Sequence, residues 1–445
     1  MDNQHQYSVK TFYTIIITQV LSITGSQISG LAIGIWLYAE TGDATPLALV
    51  AFFNSLPRIV LANVSGYFAD RMDRRYVMAL SDAGQALGTI LLLISFSSGE
   101  FEIWHLYAIT VLQAIFGVFQ GPSMLASITL LVPDEKRPGA NAIMQLMQPT
   151  SGIIAPVMAG LIYAAGGVIG AIAIDMISFS LAVLVILNIR IPRPEQTDAG
   201  AALKTSFWRE ISGGFRYILA RQGLLLLVMY AMVLNFLLAG MGVAMTPYLL
   251  ARTDSEALYG LIISLINGGM LAGGIFMGVW GGTKRRMYTI IFGTMVVGIV
   301  LIFFGMAQTV PMLMLTAFVY IVPIPMVNAS VMTLLQSKVA PDVQGRVFAV
   351  VEQLAMLLAP ASFLLVGFLA DNVFEPAVGT SAWSSFAPYF GTEAGAGIGL
   401  MIALSGLSAA IVSVLAYLTP AMRNMEEKLP DYVPTATPDI EPAAV

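Results

Sequence analysis

Four ionisable residues stand inside otherwise apolar segments of this chain: Arg58, Asp82, Asp175 and Glu352. A charge in such a setting is costly, and where it persists it marks a substrate path, a proton site or a paired counter-ion. Arg58, deep in its apolar run, suits an anionic substrate group or an acid whose protonation changes during a cycle. Glu352 and Asp175 are the candidate proton-coupling acids, because acids in partly dry sites exchange protons near neutral pH. Each has a plainer reading: an ion pair with Arg346 or Lys338 for Glu352, and a structural hydrogen-bonding role for Asp175. Asp82 lies near a basic cluster and is expected to pair with Arg71 or Arg75. Uncharged polar residues also recur at helical spacing. Gln19, Ser22, Ser26 and Ser29 share one face, Gln113, Gly117 and Gln120 another, and Asn235 and Asn267 sit in the middle of their runs. They suit substrate contact or hydrogen bonds between helices.

Other chemistries are absent. There is no cysteine, so no thiol nucleophile, disulfide or thiolate metal site is available. The two histidines, His5 and His105, lie away from the centres of the apolar runs and form no metal or nucleophile constellation. No phosphate-cradling glycine–lysine loop is found, which argues against direct ATP drive, and no cofactor is implied. Basic residues are scattered rather than patched, which gives nucleic-acid binding no support.

The elements that position these residues follow from composition. The 445 residues are 57% hydrophobic and only 11% charged, with a mean hydropathy of +0.81. Soluble domains carry about 25% charged residues. Runs of about 20 apolar residues span a bilayer as helices. Twelve are predicted, near 12–38, 45–69, 77–98, 104–131, 140–165, 168–189, 223–250, 258–281, 287–306, 310–336, 345–370 and 396–419. The first is too long for a signal-peptide core and reads as an uncleaved span. Of the 21 Lys and Arg residues, 19 fall in even-numbered loops or the termini, whereas Glu40, Asp43, Glu100, Glu102, Glu256, Asp371 and Glu375 lie in odd loops. The positive-inside rule then puts both termini in the cytoplasm of a multi-pass protein of the inner (cytoplasmic) membrane.

The chain divides into a bundle over 1–190, a cytoplasmic linker over 191–222, a second bundle over 223–420 and a tail over 421–445. The linker opens Arg190-Ile-Pro-Arg193-Pro. It continues with Leu203, Phe207, Ile211, Phe215 and Ile218 at helical spacing among basic residues, a pattern for an amphipathic helix that lies on the inner membrane surface or packs on the protein's own cytoplasmic ends. The proline-punctuated tail is expected to be disordered. The bundles echo one another. Gly66, Asp70, Arg74 and Arg75 match Gly278, Gly282 and Lys284-Arg285-Arg286. Gln148, Pro156 and Gly160 match Gln353, Pro360 and Gly367. Such a parallel six-plus-six repeat is a known transporter plan.

Gly66-x-Phe68-Ala69-Asp70-Arg71-x-Asp73-Arg74-Arg75 resembles the loop signature of the major facilitator superfamily, with Phe68 and Asp73 as departures. Asp73, Leu56-Pro57, Ala140-Asn141-Ala142, Asp175-x-x-Ser178-Phe179 and Gly345-Arg346-Val347 are similar to its macrolide-efflux and enterobactin-exporter-like branch. The resemblance covers about residues 10–420. It implies an all-α membrane fold of twelve transmembrane helices in two pseudo-symmetric six-helix bundles. It implies a monomeric, non-enzymatic secondary transporter driven by a proton gradient, which exports a small amphipathic compound such as a drug, macrolide or siderophore. An importer or lysophospholipid flippase of the same fold, or a non-transporting receptor, is the alternative. Gln19, Ser26, Gln113, Asn235, Asn267 and Arg58 become candidate cavity residues. Gly66, Asp70, Arg71, Arg74, Arg75 and Asp82 become a conformational latch, with Asp70 set against the N-terminus of the eleventh span near Gly345, where the helix dipole favours an anion. Ser151, Ala155, Pro156, Ala159 and Gly160 resemble a degraded exporter packing motif, in which small residues allow close helix contact and proline bends the helix.

Overall fold

Inside a bilayer, backbone polar groups find partners only in helices or closed barrels. The computed structural model contains helices throughout its described residues, which are 9–71, 73–121, 123–124, 131–133, 136–189, 215–339 and 344–428. The N-terminal half contains α1 (Val9–Thr41), α2 (Thr45–Arg71), α3 (Arg74–Ser98), α4 (Ile103–Gly117) and α5 (Arg137–Asn188). The C-terminal half contains α6 (Gln222–Thr253), α7 (Glu256–Trp280), α8 (Arg286–Gly305), α9 (Val310–Ile321), α10 (Pro323–Lys338), α11 (Gln344–Met356), α12 (Ala359–Leu369) and α13 (Ala396–Leu418).

Ten stretches among the described residues are long and apolar enough to cross a membrane. One of them lies in α5, which runs 52 residues and breaks at Gly167 (φ 62°, ψ −166°) into two crossings. Positive φ at this reversal is a conformation glycine adopts without steric cost. With that second crossing and the shorter apolar α4, the twelve expected spans are accounted for. Two crossings are each built from a pair of helices: α9 meets α10 at Pro323, and α11 meets α12 just before Pro360. Proline removes a backbone donor and clashes with the preceding turn, which bends the helix there.

Close packing within the C-terminal half rests on missing side chains. A Cβ on Gly298 would fall 2.5 Å from the Gly406 carbonyl, and one on Gly305 would fall 2.2 Å from that of Gly399. Two glycines seven residues apart on α8 thus face two seven apart on α13. In lipid, where apolar contact between helices gains little from water exclusion, such backbone approach supplies the attraction.

One stretch differs from its expected form. The segment between α12 and α13 reads as a loop, yet it folds into a π-helical turn (Ala370–Phe374) and short helices over Glu375–Ala377, Ser381–Ser385 and Ala387–Phe390. Buried Trp383 holds this cap together by donating to the Gly391 carbonyl at 2.8 Å. Of the linker's amphipathic pattern, Leu203, Phe207 and Ile211 lie outside the described residues. Ile218 is buried in the C-terminal core with Leu224 and Leu227, and Phe215 packs against that core. The tail beyond Lys428 also lies outside the described residues.

Candidate functional site

Helix direction alternates, so the loops gather at two ends. One carries Glu40, Asp43, Glu100, Glu102, Glu256, Asp371 and Glu375 and is here the acidic end. The other carries Lys10, Arg75, Arg285, Arg286 and Arg423 and is the basic end.

Within the N-terminal half, two carboxylates are almost fully buried: Asp82 at 0% exposure and Asp175 at 4%. No other carboxylate is buried among the described residues. A buried charge is tolerated only with strong hydrogen bonding. Gln19 Nε2 donates to Asp82 Oδ2 at 3.0 Å, and Gln120 Nε2 to Asp82 Oδ1 at 2.5 Å and to Gln19 Oε1 at 2.6 Å. Gln85 Nε2 donates to Gln120 Oε1 at 3.0 Å. Gln113 Nε2 donates to the Gln85 carbonyl at 3.2 Å and to Thr89 Oγ1 at 3.1 Å. Thr89 Oγ1 donates to Asp175 Oδ2 at 3.0 Å, and Ser26 Oγ to Asp175 Oδ1 at 2.9 Å. One continuous ladder therefore joins the two acids. Asp82 and Thr89 lie seven residues apart on α3, about 10 Å along its axis.

Arg58, an exposed side chain of α2, passes near the middle of this ladder at Gly117. A Cβ on Gly117 would lie 3.2 Å from Gln85 Oε1 and 3.6 Å from Arg58 Nη2, so the missing side chain admits both groups. The ladder places Gln19, Ser26 and Gln113 between helices of one half. The expected pairing of Asp82 with Arg75 does not form, since the carboxylate accepts from Gln19 and Gln120. Arg75 instead donates to the carbonyls of Ile186, at 3.2 Å, and Leu187, where it ties α3 to the end of α5.

The halves meet along two seams. On one, Gly160 of α5 and Gly260 of α7 interlock: added Cβ atoms would fall 2.6 Å from the Glu256 carbonyl and 2.3 Å from the Pro156 carbonyl. Further along, Ser264 Oγ donates to the Ile153 carbonyl at 2.8 Å. On the other seam, a Cβ on Gly367 of α12 would fall 2.6 Å from Ala48 Cβ of α2. Just beyond it, Asp371 accepts from the amides of Ala44 at 2.7 Å and Thr45 at 2.6 Å, which caps the start of α2. An anion on free helix-terminal N–H groups is favourable in charge and in hydrogen bonding. Nearer mid-membrane, Gln353 Nε2 donates to the Ile59 carbonyl at 3.2 Å. These contacts seal the acidic end. Toward the basic end, Cβ atoms on Gly139 of α5 and on Gly274 and Gly278 of α7 would meet nothing within 4 Å.

Between the sealed end and the basic end lies a cavity of about 450 Å³, bordered by α1, α5 and α7. Its polar groups are the carboxamides of Gln27, Gln148 and Asn267, and its other lining residues are Gly30, Leu31, Pro149, Gly152, Pro156, Ile263 and Met270. Gln27 Nε2 donates to Gln148 Oε1 at 3.1 Å. Asn267 spends its amide on the Ile263 carbonyl of its own helix at 2.9 Å. A Cβ on Gly152 would fall 2.5 Å from Asn267 Oδ1, so glycine makes room for that oxygen.

Of the residues expected at a cavity, Asn267 lies in it. Asn235 donates to the Ala231 carbonyl of its own helix. Glu352 is exposed and makes no ion pair with Lys338, whose Nζ donates to the Glu426 carbonyl at 2.6 Å. Pro156 and Gly160 lie in the α5–α7 seam. The side chains of Asp70, Arg71 and Arg74, with the surroundings of Gly66, lie outside the described residues. Gln85, Thr89, Gln27 and Gln148 were not singled out as site residues. Gln85 and Thr89 are legible afterwards, because they follow Asp82 at steps of three and four along one helix face.

Two helical halves, seams of small residues and a central cavity define a polytopic membrane protein of the two-bundle transporter class. The chain belongs to the Major Facilitator Superfamily, whose family model matches residues 15–363. It is 26% identical over 378 residues to macrolide efflux protein A of Streptococcus pyogenes, covering 84% of this chain and 92% of that one. It is 24% identical over 347 residues to the multidrug efflux pump Tap of Mycolicibacterium fortuitum, covering 76% and 83%. Among solved structures it is similar to a bacterial homolog of the human lysosomal transporter Spinster, with a TM-score of 0.70, 14% identity and coverage of 96% and 100%. It is also similar to the nucleoside transporter NupG, with a TM-score of 0.64, 12% identity and coverage of 90% and 98%.

Proposed function

We propose that this protein exports a small, amphipathic organic molecule across the inner membrane by alternating access, in exchange for protons. The observation that carries this reading is the uncharged cavity between the halves, sealed at one end by interlocked glycines and the Asp371 cap. The positive-inside rule makes the basic end cytoplasmic. The cavity then takes its cargo from the cytoplasm or the inner leaflet, which suits an exporter. Three carboxamides among apolar walls fit a neutral, hydrogen-bonding surface on a largely apolar molecule. The resemblance to macrolide and multidrug efflux proteins points the same way and makes a macrolide the first compound to try. The latch around Asp70 would hold the cytoplasmic end when it closes, as the counterpart of Asp371 at the other end.

The test is accumulation of radiolabelled erythromycin in everted membrane vesicles that carry the protein. A proton gradient, acid inside, is expected to drive uptake that a protonophore abolishes. Uptake that ignores the gradient, or no transport of erythromycin and other exported drugs, would overturn the reading.

A further inference from the structure

The two buried carboxylates are unlike the other acids of the chain. The remaining described acids lie at the surface or at helix ends, whereas Asp82 and Asp175 sit in the interior of one half. Neither forms an ion pair among the described residues. Asp82 faces Gln19 of α1 and Gln120 beyond α4, and Asp175 faces Ser26 of α1 and Thr89 of α3, with Ser178 on its own helix. From α2, Arg58 is the charged group that reaches the ladder, at Gly117. His105 is engaged elsewhere, with Ser95 Oγ and the Glu102 amide.

A structural role alone needs neutral partners, and serine or asparagine would serve it without the expense of a buried charge. Two carboxylates on one hydrogen-bonded ladder, at two depths, form a set whose charge can change. Asp175 follows the reversal at Gly167 by eight residues and so lies nearer the acidic end. Asp82 follows the start of α3 by eight residues and lies nearer the basic end.

We propose that Asp82 and Asp175 bind the coupling protons inside the N-terminal bundle. This rests on the proton-driven reading above and moves its proton site away from Glu352. Each carboxylate takes a proton on an oxygen lone pair and releases it unchanged, so no other reactant is needed. The carboxamides do not carry protons. They transmit charge state: Gln120 touches Asp82, Gln19 and Gln85 at once, and when one Asp82 oxygen takes a proton the amide that donated to that oxygen must find another acceptor. That rearrangement reaches Gln85 and, at Gly117, the neighbourhood of Arg58.

The full-length protein reconstituted in lipid, without any substrate, provides the first test. Infrared difference spectra recorded across a pH step are expected to show two carboxyl stretching bands, of which Asp82→Asn removes one and Asp175→Asn the other. Bands that survive in both variants, or that fail to titrate in the wild type, would overturn the proposal. If Asp82→Asn does not fold, Gln19→Leu keeps the acid and removes one donor. The Asp82 band should then shift, and an unmoved band counts against the proposal. In the same liposomes, Asp82→Asn should lose at least ten-fold in gradient-driven erythromycin uptake while keeping erythromycin exchange within two-fold of wild type. Loss of both, or of neither, contradicts the assignment. If the wild-type protein does not move erythromycin, the export reading fails for that compound, while the infrared result still decides the proton sites.

Discussion

The two ends of the bundle use the same residue type to opposite effect. At the acidic end, Gly160, Gly260 and Gly367 press helix backbones together across the seams. At the basic end, Cβ atoms added to Gly139, Gly274 and Gly278 on the same interface helices would meet nothing within 4 Å. A glycine packed backbone to backbone is a contact that a rocking motion would have to break. On the proposed alternating-access cycle, small residues along α5 and α7 would report the conformational state by whether their Cβ positions are occupied.

The predictions sharpen or break this contrast. The largest effect is expected from Gly160→Leu, because the Glu256 carbonyl lies 2.6 Å from where its first side-chain carbon must go. Overpacking of this kind costs on the order of 1–3 kcal/mol. It should hold the acidic end open and cut transport at least ten-fold, as read by uptake assays and by spin-label distances across that end. Asp371→Ala removes two amide hydrogen bonds at the start of α2. Loss of a cap costs roughly 1 kcal/mol, so the equilibrium should move about five-fold toward states open at the acidic end, detectable by the same distances. Tyr230→Phe probes a contrast between the halves. The C-terminal half buries a hydroxyl cluster of Tyr230, Thr294 and Ser413 in place of carboxylates. Its loss should lower thermal stability by about 1 kcal/mol and leave proton coupling intact. Gly278→Ala should be the mildest, since the new methyl meets open space and alanine favours helix by up to about 1 kcal/mol. Unchanged or slightly raised stability in a melting assay is expected.

Much of the fold was legible because hydrocarbon imposes one rule on backbone polarity, and apolar run length then counts the crossings. The internal echo was legible for the same reason that it matters: Gly160 and Gly367 occupy equivalent places in the two seams. The site was less so. Gln19, Ser26 and Gln113 looked like cavity residues because helical periodicity shows that residues share a face but not which neighbour that face meets. Their partners are 63, 149 and 28 residues away in sequence. Asp371 was legible only as a loop acid, since its role depends on α2 starting beside it. The capping helices from Glu375 to Phe390 were missed because they are too short for periodicity to register.

The central proposal, that the acidic and basic ends open and close in alternation, has a direct measurement. The chain lacks cysteine, so pairs can be introduced without removing native ones. Spin labels at Glu40→Cys and Glu393→Cys report the acidic end, and labels at Gly139→Cys and Gly278→Cys report the basic end. Without substrate or gradient, the acidic-end pair should give one narrow, short distance and the basic-end pair a longer one. An imposed proton gradient with erythromycin should lengthen the first and shorten the second together. Distances that never move in opposite directions, or an acidic-end pair that is the wider one at rest, would contradict the account.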